Sequence, residues 1–105
     1  MDILNGKEVN DLEKIYLNEV PILVSELKEE KINGLNKLSI VFPVTSKEYH
    51  DITVLLYKQE FNVFIPTSNI TFYGKIVQFY TTITDLYKEG NIGEFTLSLL
   101  EIDGE

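Results

Sequence analysis

An all-β fold, an antiparallel meander of about eight short strands closed as a barrel or folded as a sandwich, is predicted by three features of this 105-residue chain. First, β-branched and aromatic residues abound: 12 Ile, 8 Val, 8 Thr, 6 Phe and 6 Tyr. Such side chains suit a pleated, half-buried surface. Second, they arrive in short runs separated by Asn, Gly, Pro and charge, the punctuation of strands and turns. Third, Ala, the strongest helix former, is absent.

Each element has its own reason. Residues 1–13 read as an N-terminal extension, either loose or a short helical turn with Asn10 as cap. Residues 14–105 form a single all-β domain, because a chain of this length closes one core. Ile15-Tyr16-Leu17 makes a first strand, Asn18-Glu19-Val20-Pro21 a tight connection, and Ile22 to Lys28 a second strand. Glu29 to Asn36 is polar and reads as a loop, with Asn33-Gly34 as its turn. Lys37 to Val44 alternates, setting Leu38, Ile40, Phe42 and Val44 on one face. A strand over about 49–57 then opposes Ile52, Val54 and Leu56 to Thr53, Leu55 and Tyr57. Phe61, Val63 and Ile65 alternate until Pro66 ends the run. Ile70 to Tyr80 is the longest extended stretch and places Ile70, Phe72, Gly74, Ile76 and Tyr80 in one phase. Glycine inside such a strand marks a bulge or a close backbone approach. Thr82 to Tyr87, a turn at Lys88-Glu89-Gly90-Asn91, and Glu94 to Ile102 complete the chain. The last strand changes phase between Leu99 and Leu100, which a β-bulge there would reconcile.

Composition excludes several kinds of chemistry. With no Cys there is no disulfide framework, thiolate metal site or cysteine nucleophile, and a reducing compartment fits. All nine basic residues are Lys, and the formal charge is −8. Lacking the Arg fork and repelling polyanions, the chain is not expected to bind nucleic acid. Met1 to Glu8 lacks the basic segment and apolar run of a secretory signal, and nothing approaches the length of a membrane span. A cytoplasmic location without membrane association is therefore expected. Charge is uneven: residues 1–31 and 76–105 are acidic, and the Lys of the centre read as solubilising decoration of exposed strand faces.

The densest polar cluster is Thr45-Ser46-Lys47-Glu48-Tyr49-His50-Asp51, which holds the single His. A Ser, a His and an Asp invite a triad, but on an extended strand His50 and Asp51 project to opposite faces. No G-x-S-x-G elbow accompanies them. Two local structures compete here. In one, Ser46 to Glu48 is a hairpin turn that leaves His50 partly buried in phase with Ile52; in the other, Thr45-x-x-Glu48 is a capping box opening one helical turn. The hairpin is the expectation. No metal-ligand spacing, calcium loop or phosphate-cradling glycine motif occurs, so no catalytic residue, metal or cofactor is assigned.

Aromatic residues are the better clue. Tyr49 and Tyr57 lie in phase opposite Ile52, and Phe64, Tyr73 and Phe79 fall out of phase with the apolar sets of their strands. A sheet apolar on both faces needs a cover for the second: another sheet, a ligand or a partner chain. Tyr49, His50, Tyr57, Phe64 and Tyr73 are thus the candidate binding residues, for a protein partner or a second copy of the chain, or else for a small apolar ligand.

The joint spacing of Val44-Thr45-Ser46, Tyr49-His50-Asp51-Ile52, Val54 to Tyr57, Phe61-Asn62-Val63, Pro66, Phe72, Gly74, Leu86-Tyr87, Gly90, Glu94-Phe95 and Glu101-Ile102-Asp103 resembles the YkvR family of small bacterial proteins. It spans roughly residues 37–103, with a weaker match over 15–31, and residues 1–13 depart from it. The resemblance implies an all-β domain of unknown function and supplies no catalytic residues. The expectation is an uncharacterised, non-enzymatic interaction module acting through an aromatic surface, or alternatively a small-molecule-binding β-barrel or carrier.

Overall fold

The computed structural model describes residues 13–82 and 92–102. Among them are seven strands and one helix: β1 (Glu13–Leu17), β2 (Val20–Val24), β3 (Glu26–Ile32), β4 (Leu35–Thr45), α1 (Tyr49–Leu56), β5 (Glu60–Ile65), β6 (Ile70–Thr81) and β7 (Ile92–Glu101). All strands pair antiparallel in one sheet of order β2-β1-β5-β6-β7-β4-β3. Only β5-β6-β7 is a meander. The hairpins β1-β2 and β3-β4 flank it, because α1 carries the chain from β4 across to β5. The expected extension falls, apart from Glu13, outside the described residues. So do the strand beyond Thr82 and the turn at residues 88–91.

The second hairpin turns at Asn33-Gly34 as expected, and the first turns on Asn18-Glu19 alone, with Val20 and Pro21 of the expected connection already in β2. Asn18 (φ 52°) and Glu19 (φ 72°) join β1 to β2, and Asn33 (φ 52°) and Gly34 (φ 83°) join β3 to β4. Two successive left-handed residues match the twist of the flanking strands. The stretch 29–32, expected as loop, is strand. Glu29, Glu30 and Lys31 pair with Leu38, Lys37 and Asn36, and a charged sequence is tolerated because β3 is the outermost strand.

Alternation sends one set of side chains to an inner face. Ile15, Leu17, Ile22, Val24, Leu38, Ile40, Phe42, Val44, Phe61, Val63, Ile65, Phe72, Phe95, Leu97 and Leu99 are buried there, with Leu55 and Leu56 of α1 packed onto them. Each such side chain contributes about 1.5–3 kcal/mol by leaving water.

The expected strand at 49–57 is a helix, and the expected strand at 22–28 breaks at Ser25 into β2 and β3, so seven strands stand among the described residues. The turn over residues 45–48 that leads into the helix is a capping box: the Thr45 amide donates to Glu48 Oε1 at 3.0 Å and the Glu48 amide donates to Thr45 Oγ1 at 3.2 Å. Tyr49, Ile52, Thr53 and Leu56, spaced at helical intervals, face the sheet, and His50, Asp51 and Val54 face out. Gln59 at φ 72° ends the helix, donating to the Leu56 carbonyl at 3.0 Å and accepting from the Ile76 amide at 2.9 Å.

Two expectations about β6 and β7 shift. The bulge lies not at Leu99-Leu100 but at Val77, where Ile76 pairs with Leu99 and Gln78 with Ser98. Beyond it the phase of β6 inverts, so Phe79 pairs with Leu97 on the inner side and Tyr80 with Thr96 on the outer. Leu100 stays in regular alternation, opposite Lys75 and Lys37 on the outer face.

The sheet is not closed as a barrel, although its ends meet. β2 and β3 stand at opposite edges yet only Ser25 separates them, so the sheet curls until β2 lies against β4. Ser25 fastens the bend through its amide and hydroxyl, both donating to the Val41 carbonyl, at 2.7 and 3.1 Å. No ladder joins β2 to β4, and two prolines explain this. In each two-residue hairpin the residues flanking the turn form a hydrogen-bonded pair, so Pro21 and Pro43 both turn their nitrogen away from their paired neighbours. Both line the same gap and neither can donate across it.

Candidate functional site

The five candidate binding residues divide between two sides of the molecule. Tyr49 is half-buried under the core, its ring edge-on to Phe95 with centroids 6.2 Å apart. His50 is exposed on the solvent side of α1, not buried in phase with Ile52 as the hairpin expectation had it. Tyr57, at the end of α1, is 85% exposed. It borders a hollow of about 220 Å³ formed with Thr53, Leu56, Gln59, Ile76 and Phe79. The bulge at Val77 is what turns Phe79 into this position, edge-on to Phe95 at 5.5 Å.

Phe64 and Tyr73 stand on the opposite, outer face. Register sets Tyr16 beside Phe64, Phe64 beside Thr71 and Asn62 beside Tyr73, so three rings step diagonally across β1, β5 and β6. Tyr16 and Phe64 stack with centroids 5.9 Å apart and planes at 29°. They line an open groove of about 470 Å³ with Glu19, Asn62, Pro66 and Thr71. The β1-β2 turn is fastened to this wall by Asn18, whose amide donates to the Asn62 carbonyl at 2.9 Å while its Oδ1 accepts from the Asn62 amide at 2.8 Å. Tyr16 was not among the candidates, yet its position between Ile15 and Leu17, two core residues, is the signal that it faces outward.

Beside the groove the Tyr73 hydroxyl donates to Glu60 Oε1 at 3.0 Å. That bond raises the phenol's pKa above its ordinary value, with lesser help from desolvation and the carboxylate charge. Among the described residues no three His, Asp or Glu gather to hold a metal ion, and no helix is long and apolar enough to cross a membrane.

A family model described as "Protein of unknown function (DUF3219)" matches residues 14–105. The chain is 36% identical over 92 residues to "Uncharacterized protein YkvR" of Bacillus subtilis (strain 168), which covers 88% of this chain and 95% of that protein. The NMR solution structure of YkvR from Bacillus subtilis superposes with a TM-score of 0.58 at 36% identity, over 88% of this chain and 87% of that one.

Proposed function

The chain belongs to the DUF3219 family of proteins of unknown function, and from its geometry we propose that it is a non-enzymatic interaction module that holds a protein partner on the outer aromatic face of β1, β5 and β6. The observation that carries this is the stacked Tyr16–Phe64 pair in an open groove. These rings lie on the side of the sheet that the core does not use, so the fold does not account for them. Rigid aromatic side chains bring large contact area at small entropic cost, which is why they dominate binding surfaces.

Affinity capture from the native extract with three immobilised proteins tests it. A species retained by the parent and by Tyr57→Ser, but lost from Phe64→Thr, is the expected outcome. Equal retention by Phe64→Thr would overturn it. The variant stays folded, since the lost stacking is worth about 0.5–1.5 kcal/mol, whereas truncating core Phe95 costs about 3–5 kcal/mol.

One observation favours a small apolar ligand as the second reading. The groove, at about 470 Å³, falls within the range of roughly 300–1,000 Å³ usual for small-molecule sites. Such a ligand lies outside the sheet, because side chains fill the inner face. Native mass spectrometry separates the two: an adduct lost on denaturation and absent from Phe64→Thr supports the ligand.

A further inference from the structure

Resting on that interaction surface, we infer that the partner's contacting segment is a proline-rich peptide in polyproline II conformation, with a basic residue beside its prolines, lying in the Tyr16–Phe64 groove. An extended segment has two ways to bind a sheet: it adds a strand to an edge, or it lies on a face. Both edges here refuse a strand. The β2 edge lies against β4, and of its outward-turned residues Pro21 has no donor, which leaves Leu23 alone to offer one. On β3 the sequence Glu26-Leu27-Lys28-Glu29-Glu30-Lys31-Ile32 presents charge at nearly every position.

A polyproline II segment asks for no ladder, since its backbone carries no internal hydrogen bonds, and its ring ridges fit between flat aromatic side chains. The groove supplies these. Tyr16 and Phe64 stack with centroids 5.9 Å apart and offer proline rings one continuous aromatic surface, and Tyr73 stands beside it, diagonal to Phe64 across the ladder.

Charge selects the flanking residue. Glu19 is the charged side chain of the groove lining, and Glu60, held by Tyr73, lies beside the groove. Lys75 faces Glu60 across the ladder and Lys14 sits beyond Tyr16, so Glu19 is the stronger determinant. With a whole-chain charge of −8, a basic ligand is attracted and an acidic one repelled.

The test is an NMR titration of the ¹⁵N-labelled full chain with a synthetic peptide of two P-x-x-P repeats ending in Arg. Two control peptides replace each Pro by Ala, or the Arg by Glu. Amide shifts are expected around Tyr16, Asn62, Phe64 and Thr71. The Ala control and the Phe64→Thr protein should each bind about tenfold more weakly, losing preorganisation and a central anchor respectively. The Glu control and Glu19→Gln should each weaken binding about two- to fivefold, an effect that added salt removes. Equal binding of the Ala control, or shifts confined to α1, would overturn the inference. If the peptide fails to bind while Phe64→Thr still releases the captured partner, the polyproline assignment falls and the aromatic surface stands. If Phe64→Thr releases nothing, both fall.

Discussion

Gly74→Ala is expected to destabilise the protein by about 1–2 kcal/mol, although alanine is ordinarily the gentlest replacement for glycine. Gly74 is not in the left-handed region, so its backbone accepts a side chain. A stiffer unfolded chain alone would then stabilise the variant by about 0.4–1 kcal/mol. The contact opposes this. A Cβ at Gly74 would stand 2.8 Å from Phe72 Cε2 and 2.9 Å from the Leu100 carbonyl oxygen. The ring can tilt, but Leu100 belongs to a strand paired on both sides, with β4 and with β6, and its carbonyl cannot retreat without disturbing them. Overpacking of this kind costs about 1–3 kcal/mol and outweighs the entropic gain. At about 4–8 °C per kcal/mol for a domain of this size, the melting temperature should fall by roughly 5–15 °C. Urea unfolding with an unchanged m-value reads the loss directly. Gly34→Ala is the contrasting control: nothing lies within 4 Å of its Cβ, but φ is +83°, so its cost of about 1–2 kcal/mol is backbone strain. Combining Gly74→Ala with Phe72→Leu, a core truncation with a cost of its own, should destabilise by less than the sum of the two single changes, because the ring contact is relieved while the carbonyl contact remains. A Gly74→Ala protein as stable as its parent would refute the close approach of β6 and β7.

Thr45→Ala removes one half of the capping box and should lower stability by about 1 kcal/mol, while Glu48→Gln, which preserves the reciprocal bond, should change it little; thermal melts compare the two. Tyr73 should ionise above the usual tyrosine range, and Glu60→Ala should bring it down in an ultraviolet titration at alkaline pH. The sign follows from the raised value: the bond's contribution is fully present below the unfolded tyrosine pKa and is lost as pH rises through the folded one. Replacing both Pro21 and Pro43 by Val restores a donor on each side of the β2/β4 gap, and hydrogen exchange should show the new amides at positions 21 and 43 protected by a ladder between β2 and β4; fast exchange at both would refute the role given to the prolines.

Much of the fold is legible in single residues. Asn18 and Asn33 announce their hairpins, and Leu38, Ile40, Phe42 and Val44 announce the buried face of β4. The helix is the instructive departure. Over 49–56 the residues satisfy two periods at once: Ile52, Val54 and Leu56 alternate, and Tyr49, Ile52, Thr53 and Leu56 recur at helical spacing. Three successive β-branched residues favour a strand by propensity. The capping box and the absence of Gly or Pro from 46–57 favour a helix, and burial of Leu55 and Leu56 over the inner face settles the choice. That choice also decides the site. On a strand Tyr49 and Tyr57 share a face; on a helix eight residues apart one packs on Phe95 and the other reaches solvent. The bulge at Val77 has no such local mark, because Val is as regular a strand residue as its neighbours and its misfit shows only against Leu99 and Ser98 across the ladder.

The openness of the sheet, by contrast, was written in the chain. A proline within a strand is tolerated where its nitrogen faces no partner, which confines it to an edge or a bulge. Pro43 interrupts the alternating run that holds Phe42 and Val44, and Pro21 opens the run that holds Ile22 and Val24. Two prolines in two different hairpins, both in regular pairing and neither at a bulge, demand two free edges, and a closed barrel has none. The same constraint bears on binding. A curled sheet whose facing edges each carry a proline and lie against one another, and whose other edge is charged, is poorly suited to recognise a partner through its backbone. Recognition is left to side chains, and among the described residues the outer face places Tyr16 and Phe64 where the core makes no use of them.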